Sequence, residues 1–259
     1  MPRVQTSSGI SIGYTEAGGG DATPIVFLHG VGSDKSVWHP QLDHFGKSRR
    51  AIAFDYPGYG DSDPAPEGTT RDDYAEAIHS AMHALDISQA HICGLSLGGV
   101  VAIALCQAVP NHCASLILAD TFAVHPDGEA IYQRGIAGSS DLPAMAEARA
   151  DVLIAQPADP AVRREVVETM SRIDPAAYRI GAKAVWLADQ RERVAEIRTP
   201  TLVICGEDDK PTPPALSDEL HAMIAGSQLA MIPNAGHLTN LERSAEFNRL
   251  VEAFIKPLG

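Results

Sequence analysis

The sequence predicts an α/β fold, a doubly wound and mostly parallel sheet with an inserted helical segment. Short, continuously apolar runs alternate with helical patterns along most of the chain. Such runs are typical of strands that are buried on both faces of a parallel sheet. The alternation stops between about 122 and 196, where helical patterns and chain breakers occur without a convincing strand.

Each predicted element has its own local signal. Apolar or alternating runs predict strands at 11–15, 24–28, 50–54, 90–93, 115–119, 201–205 and 228–232, the first of them at an edge. Helical patterns lie near 38–45, at 71–85, at 100–109 and near 241–255. We therefore expect a core made of residues 1–121 and 197–259. Residues 122–196 are expected to form a helical lid over the carboxyl edge of the sheet, where ligands bind in open α/β folds.

Composition and charge limit the partners. The 259 residues are 45% hydrophobic and carry a formal net charge of −13. Nucleic acids and anionic membranes bind basic surfaces, so neither is an expected partner, and a small-molecule substrate is. The chain leaves monomer and homodimer equally open.

The N-terminus and the cysteines bear on location and cofactors. The first residues lack the apolar core of a signal peptide, and no run approaches the roughly 18 apolar residues that a membrane span requires. A cytoplasmic location is therefore expected. The four cysteines show no metal-ligand spacing, so we expect no metal site and reduced, buried thiols.

The strongest motif is Gly94-Leu95-Ser96-Leu97-Gly98, between the strand at 90–93 and the helix that follows. A strand, Gly-x-Ser-x-Gly and a helix form a nucleophile elbow, a turn so sharp that the serine backbone is strained. Glycines relieve the collisions that flanking side chains would make there. The turn raises the serine hydroxyl above the sheet, near a helix N-terminus that favours negative charge. Ser96 is thus the predicted nucleophile of an acyl-transfer reaction.

A serine hydroxyl needs a base, and the base needs an acid that orients it. His237 follows the last predicted strand, in a loop at the carboxyl edge of the sheet, and is the predicted base. Asp209 follows the strand at 201–205 with Gly-x-x-Asp spacing and is the predicted acid. Asp208 is a local alternative. Asp120, at the end of the strand at 115–119, is a second alternative.

Two backbone amides are predicted to stabilise the oxyanion of the tetrahedral intermediate. One is the N–H of Leu97, directly after the nucleophile. The second is expected from the loop His29-Gly30-Val31-Gly32, with the N–H of Val31 as the candidate. The side chains of Val31 and Leu97 are then free to line the pocket.

Together these residues resemble the α/β-hydrolase superfamily, and most closely the 3-oxoadipate enol-lactonases. The segments that carry the closer resemblance are 95–99, 188–193, 197–204, 212–214 and 235–242. The resemblance implies a hydrolase that opens a small enol-lactone in aromatic catabolism, with neither a metal nor an organic cofactor. It also implies a lid arginine that meets an acidic substrate, for which Arg134 is the candidate. Further candidate substrate contacts are His29, Trp38 and Trp186.

The sequence leaves three functions open. The first is a serine hydrolase of a small lactone or carboxylic ester, acting through an acyl-enzyme on Ser96. The second is a hydrolase of carbon–carbon bonds in ring-cleavage diketones, which would use the same residues. The third is a non-catalytic ligand receptor on the same fold.

Overall fold

The computed structural model describes residues 2–259, in which eight strands form one sheet. The strands are β1 (Arg3–Gln5), β2 (Ser11–Ala17), β3 (Ile25–Leu28), β4 (Ala51–Phe54), β5 (Ala90–Leu95), β6 (Cys113–Ala119), β7 (Thr201–Gly206) and β8 (Gln228–Ile232). Their order in the sheet is β1-β2-β4-β3-β5-β6-β7-β8. The first two strands pair antiparallel, and β2 also pairs antiparallel with β4. All remaining pairs are parallel, which confirms the predicted fold class.

Helices surround this sheet. They are α1 (His39–Phe45), α2 (Arg71–Ala84), α3 (Leu97–Ala108), α4 (Gly128–Gly138), α5 (Leu142–Leu153), α6 (Pro160–Ser171), α7 (Pro175–Trp186), α8 (Arg191–Glu196), α9 (Pro214–Met223), α10 (Thr239–Glu242) and α11 (Ser244–Ile255). Within residues 2–259, none of them has the length and apolar character needed to cross a bilayer.

The central strands are buried on both faces because two apolar clusters cover the sheet. One cluster contains Val26, Ile52 and Ile92, and the other contains the neighbouring residues Phe27, Ala53 and Cys93. Successive side chains of a strand point to opposite faces, so adjacent residues enter different clusters. This two-sided burial explains why these strands read as continuous apolar runs rather than as alternating ones.

Five helices, α4 to α8, lie between β6 and β7, and we call residues 122–196 the insertion. An isolated antiparallel bridge joins Val124 to Asp189 at its two ends. Three helices of the insertion begin with an aspartate whose side chain accepts from backbone amides of the first turn, at Asp141, Asp159 and Asp174. Each of these helices carries a proline near its start, a position that tolerates a missing N–H.

Three elements differ from the sequence expectation. Strand β1 was not predicted, because it has three residues and only Val4 is partly buried. It makes β1, and not β2, the edge strand. The helix expected near 38–45 begins as a 3-10 turn at Lys35–Trp38 and continues as α1. The last helix is divided into α10 and α11, with Arg243 between them in a non-helical conformation.

Candidate active site

Ser96 lies at the turn between β5 and α3. Its backbone has φ 56° and ψ −115°, a left-handed value that a non-glycine residue rarely adopts. The conformation is held from both sides: Ser96 N donates to Ala119 O at 2.9 Å, and Thr121 Oγ1 donates to Ser96 O at 2.9 Å. Strained backbone conformations that neighbouring hydrogen bonds hold in place occur mostly at functional sites, which supports a functional role for Ser96.

The glycines of the motif are explained by close backbone approach. A Cβ on Gly94 would overlap Gly98 O, and a Cβ on Gly98 would overlap Leu28 O. Helix α3 therefore begins directly against strands β3 and β5. A side chain at either position would separate the elements that set the position of Ser96.

We expect Gly98→Ala to lower the free energy of unfolding by about 1–3 kcal/mol, because the added methyl group forces Leu28 and the start of α3 apart. Urea unfolding measures the change. Gly19→Ala is the matched control: a Cβ there meets no atom within 4 Å, and its expected effect is below about 0.5 kcal/mol. Equal stability of the two variants would contradict this explanation of the motif.

His237 and Asp209 come from loops that follow β8 and β7, and the structure brings them together. His237 Nδ1 lies 3.0 Å from Asp209 Oδ2 and 3.2 Å from Oδ1. Thr212 also binds this carboxylate: its amide donates to Asp209 Oδ1 at 2.9 Å, and its hydroxyl donates to Oδ2 at 2.6 Å. Asp209 is 3% exposed and His237 is 5% exposed, so this pair is shielded from water. A carboxylate on Nδ1 leaves Nε2 free to accept a proton.

Asp120 lies close to this pair but has different partners. Its Oδ1 accepts from Gly206 N at 2.9 Å and its Oδ2 contacts Thr239 Oγ1 at 2.5 Å. Burial, followed by the charge of Asp209, raises the pKa of the Asp120 carboxyl well above its usual range. Asp208, the other alternative acid, is exposed at the surface of its loop.

The carboxylate oxygens of Asp120 and Asp209 and the Sγ of Cys205 lie within 4.8 Å of one another, close enough for one metal ion to bind all three. The two carboxylates already accept the hydrogen bonds described above, and Cys205 Sγ contacts Gly206 O at 3.3 Å. This group is therefore accounted for by the hydrogen-bond network around His237.

The loop after β3 lies against the nucleophile. A Cβ placed on Gly30 would be 3.5 Å from Ser96 Cβ. Within residues 2–259, neither the amide of Val31 nor that of Leu97 donates a hydrogen bond. Both are thus free donors next to Ser96, as an oxyanion site requires.

Two adjoining cavities lie between the sheet and the insertion. The inner cavity, of about 40 Å³, is lined by Ser96, His237, residues of the Val31 loop and residues of α5, α6 and α7. The outer cavity, of about 720 Å³, lies among α4, α5 and the loop after Asp209. Arg149 and Trp186 line both cavities, so they form the boundary between them.

The expected substrate contacts are distributed differently from the sequence interpretation. Of the four candidates, only Trp186 lines the inner cavity, whereas Arg134 is exposed and lines the outer one.

The other two candidates lie in the core. Trp38 is fully buried and stacks on Phe27, with ring centroids 4.9 Å apart, because the 3-10 turn directs it into the core. His29 is also fully buried beside Tyr56 and Tyr59, and burial lowers its pKa. Trp38 and His29 therefore do not line either cavity.

Sequence reasoning missed Arg149 and Tyr178. Arg149 is the only side chain with a permanent charge in the lining of the inner cavity, as far as residues 2–259 are concerned. Its Nη1 donates to Tyr178 Oη at 3.0 Å, and Tyr178 is fully buried. A charged residue on a helix usually faces solvent, so the pattern of α5 gives no signal for a residue that faces the cavity. Thr212 had a weak signal, since it stands three residues after Asp209.

Comparisons with known proteins identify the family of the chain. The sequence model of the alpha/beta hydrolase family matches residues 25–250. The chain is 28% identical over 247 residues to 3-oxoadipate enol-lactonase 1 of Acinetobacter baylyi, with 92% of this chain and 90% of the relative covered. It is 29% identical over 271 residues to the dihydrolipoyllysine-residue acetyltransferase component of the acetoin cleaving system of Pseudomonas putida, with 98% and 69% covered.

Solved structures give the same result. The crystal structure of the enol-lactonase from Burkholderia xenovorans LB400 superposes with a TM-score of 0.91 and 28% identity, and covers 98% of this chain and 100% of that one. The family model extends from β3 to α11 and includes the motif around Ser96 and the loops of Asp209 and His237. The chain belongs to the alpha/beta hydrolase family.

Proposed function

We propose that the protein is a serine hydrolase that opens a small lactone or cleaves a small carboxylic ester through an acyl-enzyme on Ser96. The observation that carries the proposal is the contact of His237 Nδ1 with Asp209, at 3.0 Å, beside the cavity that His237 shares with Ser96. The enol-lactonases among the relatives and solved structures support the lactone as the substrate class.

In the first half of the reaction, His237 Nε2 takes the proton of Ser96 Oγ while the oxygen attacks the carbonyl carbon. Asp209 keeps the proton of His237 on Nδ1 and stabilises the imidazolium that forms. The amides of Val31 and Leu97 hydrogen-bond the oxyanion, and each such donor contributes about 2.7–4 kcal/mol to lowering the barrier. The intermediate collapses, the C–O bond of the ester breaks, and the imidazolium gives its proton to the leaving oxygen.

In the second half, water enters and His237 takes one of its protons while the hydroxide adds to the acyl carbon. Collapse of this second intermediate breaks the bond to Ser96 Oγ, which regains its proton from His237. For a lactone, the alcohol released in the first half stays attached to the acyl group. No second product leaves before hydrolysis, and the whole opened acid leaves at the end.

The inner cavity indicates what kind of lactone or ester enters. The inner cavity is small, about 40 Å³, so we propose that it takes a small acyl group and that the insertion moves when the substrate enters. Arg149 is the charged group that an entering molecule meets at the boundary of the two cavities. A carboxylate binds a guanidinium more strongly than a neutral phenol hydroxyl does, so it would displace Tyr178 from Arg149. We therefore propose a substrate that carries a free carboxylate, with Arg134 at the outer cavity as a second cation.

The test is a substrate panel analysed by product mass. It contains a five-membered enol-lactone with a carboxymethyl group, its neutral methyl ester, phenyl acetate and a vinylogous 1,5-diketone. Opening of the lactones or hydrolysis of phenyl acetate supports the proposal. Turnover of the diketone alone would favour carbon–carbon bond hydrolysis. Tight binding of an intact lactone without turnover or an acyl-enzyme would favour a receptor.

We expect Arg149→Gln to lower kcat/KM for the carboxylate-bearing lactone by about 10- to 100-fold, because the variant loses one charge-assisted hydrogen bond to the substrate. The rate for the neutral methyl ester should change by less than about threefold, because that ester makes no charged contact. Arg164→Gln is the matched control, since Arg164 is an exposed arginine of the insertion outside both cavities. Equal losses for both lactones would remove Arg149 from substrate recognition.

A further inference from the structure

The carboxylate of Glu242 contacts two separate parts of the molecule. Glu242 ends helix α10, five residues after His237. Its Oε1 accepts from Gly236 N at 3.0 Å and from Leu238 N at 3.2 Å. Its Oε2 accepts from Ala155 N, in the insertion, at 2.7 Å. The reaction proposed above assigns no role to this side chain.

The two amides on Oε1 are those on either side of His237. The amide of His237 itself donates to Leu153 O, at 2.7 Å. All three amides from 236 to 238 are therefore fixed, two by Glu242 and one by the end of helix α5. Asp209 orients the imidazole ring, whereas these bonds fix the backbone from which the ring extends.

The amide on Oε2 belongs to the segment that leaves α5, and this segment borders the inner cavity through Leu153. The two segments also pack closely. A Cβ on Gly236 would be 2.6 Å from Leu153 O and 2.7 Å from Ala155 N. The loop of the base and the insertion thus touch at Gly236, and the carboxylate of Glu242 joins them.

We propose that Glu242 is a positioning residue that aligns His237 for proton transfer by joining its loop to the end of helix α5. Its two oxygens have different tasks: Oε1 fixes the base, and Oε2 fixes the insertion over the cavity. The base is therefore correctly placed only while the insertion covers the site. The proposal rests on the proposed function, because it assumes that His237 is the base.

The test uses Glu242→Gln. A glutamine side chain has one carbonyl oxygen, and its NH₂ group cannot accept from a backbone amide. It can hold the amides beside His237 or the amide of Ala155, but not both. We expect kcat for phenyl acetate to fall by about 10- to 100-fold, as small displacements of a catalytic group do, while KM changes less than about threefold. The rate constant for labelling of Ser96 by a fluorophosphonate, followed by intact mass, should fall by the same factor.

Glu246→Gln is the matched control, because Glu246 is a partly exposed glutamate of the next helix that pairs with Arg249. It should leave both rates unchanged. If Glu242→Gln fails to fold, Glu242→Asp is measured instead, since its shorter side chain keeps the charge but cannot reach both partners. Wild-type labelling of Ser96 together with an unchanged rate in the folded variant would overturn the positioning role alone. Absence of labelling in the wild type would overturn the proposed function, and this inference with it.

Discussion

Replacement of Ser96 by alanine is expected to lower kcat for ester or lactone hydrolysis by about 10⁴- to 10⁶-fold. The loss is large because the nucleophile, base and acid act as one unit, so removing the serine also makes His237 and Asp209 useless for this route. The oxyanion donors and the cavity remain, so some acceleration over water should persist. Initial rates with phenyl acetate, at enzyme concentrations raised for the variant, measure the change.

Intact-mass analysis after incubation with a fluorophosphonate provides a second reading of the same variant. The wild type should gain one adduct per chain, mapped to Ser96, and the variant should gain none. Ser217→Ala is the matched control, because Ser217 is a fully buried serine outside both cavities. Retention of more than about a tenth of the wild-type rate by Ser96→Ala would contradict the nucleophile role, given the size of the expected effect.

The elements that the sequence predicts well are those whose signal is local. The elbow around Ser96 needs only a strand, two glycines and a helix in immediate succession. The contact of His237 with Asp209 follows from topology, because residues after parallel strands meet at the same edge of the sheet. In both cases, the order of elements along the chain determines the position of the residue in space.

The residues that line the cavities could not be predicted in this way. His29 begins the loop of Val31, and Trp38 follows that loop, but the side chains of both residues point into the core rather than the cavity. Arg149 reaches the cavity because of the way the helices of the insertion pack on the sheet. That packing depends on contacts between residues far apart in the sequence, and no local pattern records which face of α5 is turned inward. Glu242 is similar: its partner Ala155 lies 87 residues away.

The asparagine variants of Asp209 and Asp120 should show most clearly which of these buried aspartates is the acid partner of His237. We expect Asp209→Asn to lower kcat by about 10⁴-fold, because an amide next to Nδ1 favours the wrong tautomer of His237. The contacts of Thr212 determine the orientation of that amide. The Thr212 amide, which can only donate, keeps the asparagine oxygen at the position of Oδ1, so the NH₂ group takes the position of Oδ2, 3.0 Å from His237 Nδ1.

Asp120→Asn is expected to keep kcat within about tenfold of the wild type. Burial and the charge of Asp209 disfavour the charged form of Asp120 and raise its pKa well above its usual range, so removing that charge is expected to cost little. An amide oxygen can still accept from Gly206 N, and the Thr239 hydroxyl, which donates to Asp120 Oδ2, can rotate and accept from the NH₂ group instead. Initial rates at pH 7, with thermal unfolding to verify folding, compare the two variants. A large loss in folded Asp120→Asn with a small loss in Asp209→Asn would reverse the assignment and make Asp120 the acid partner of His237.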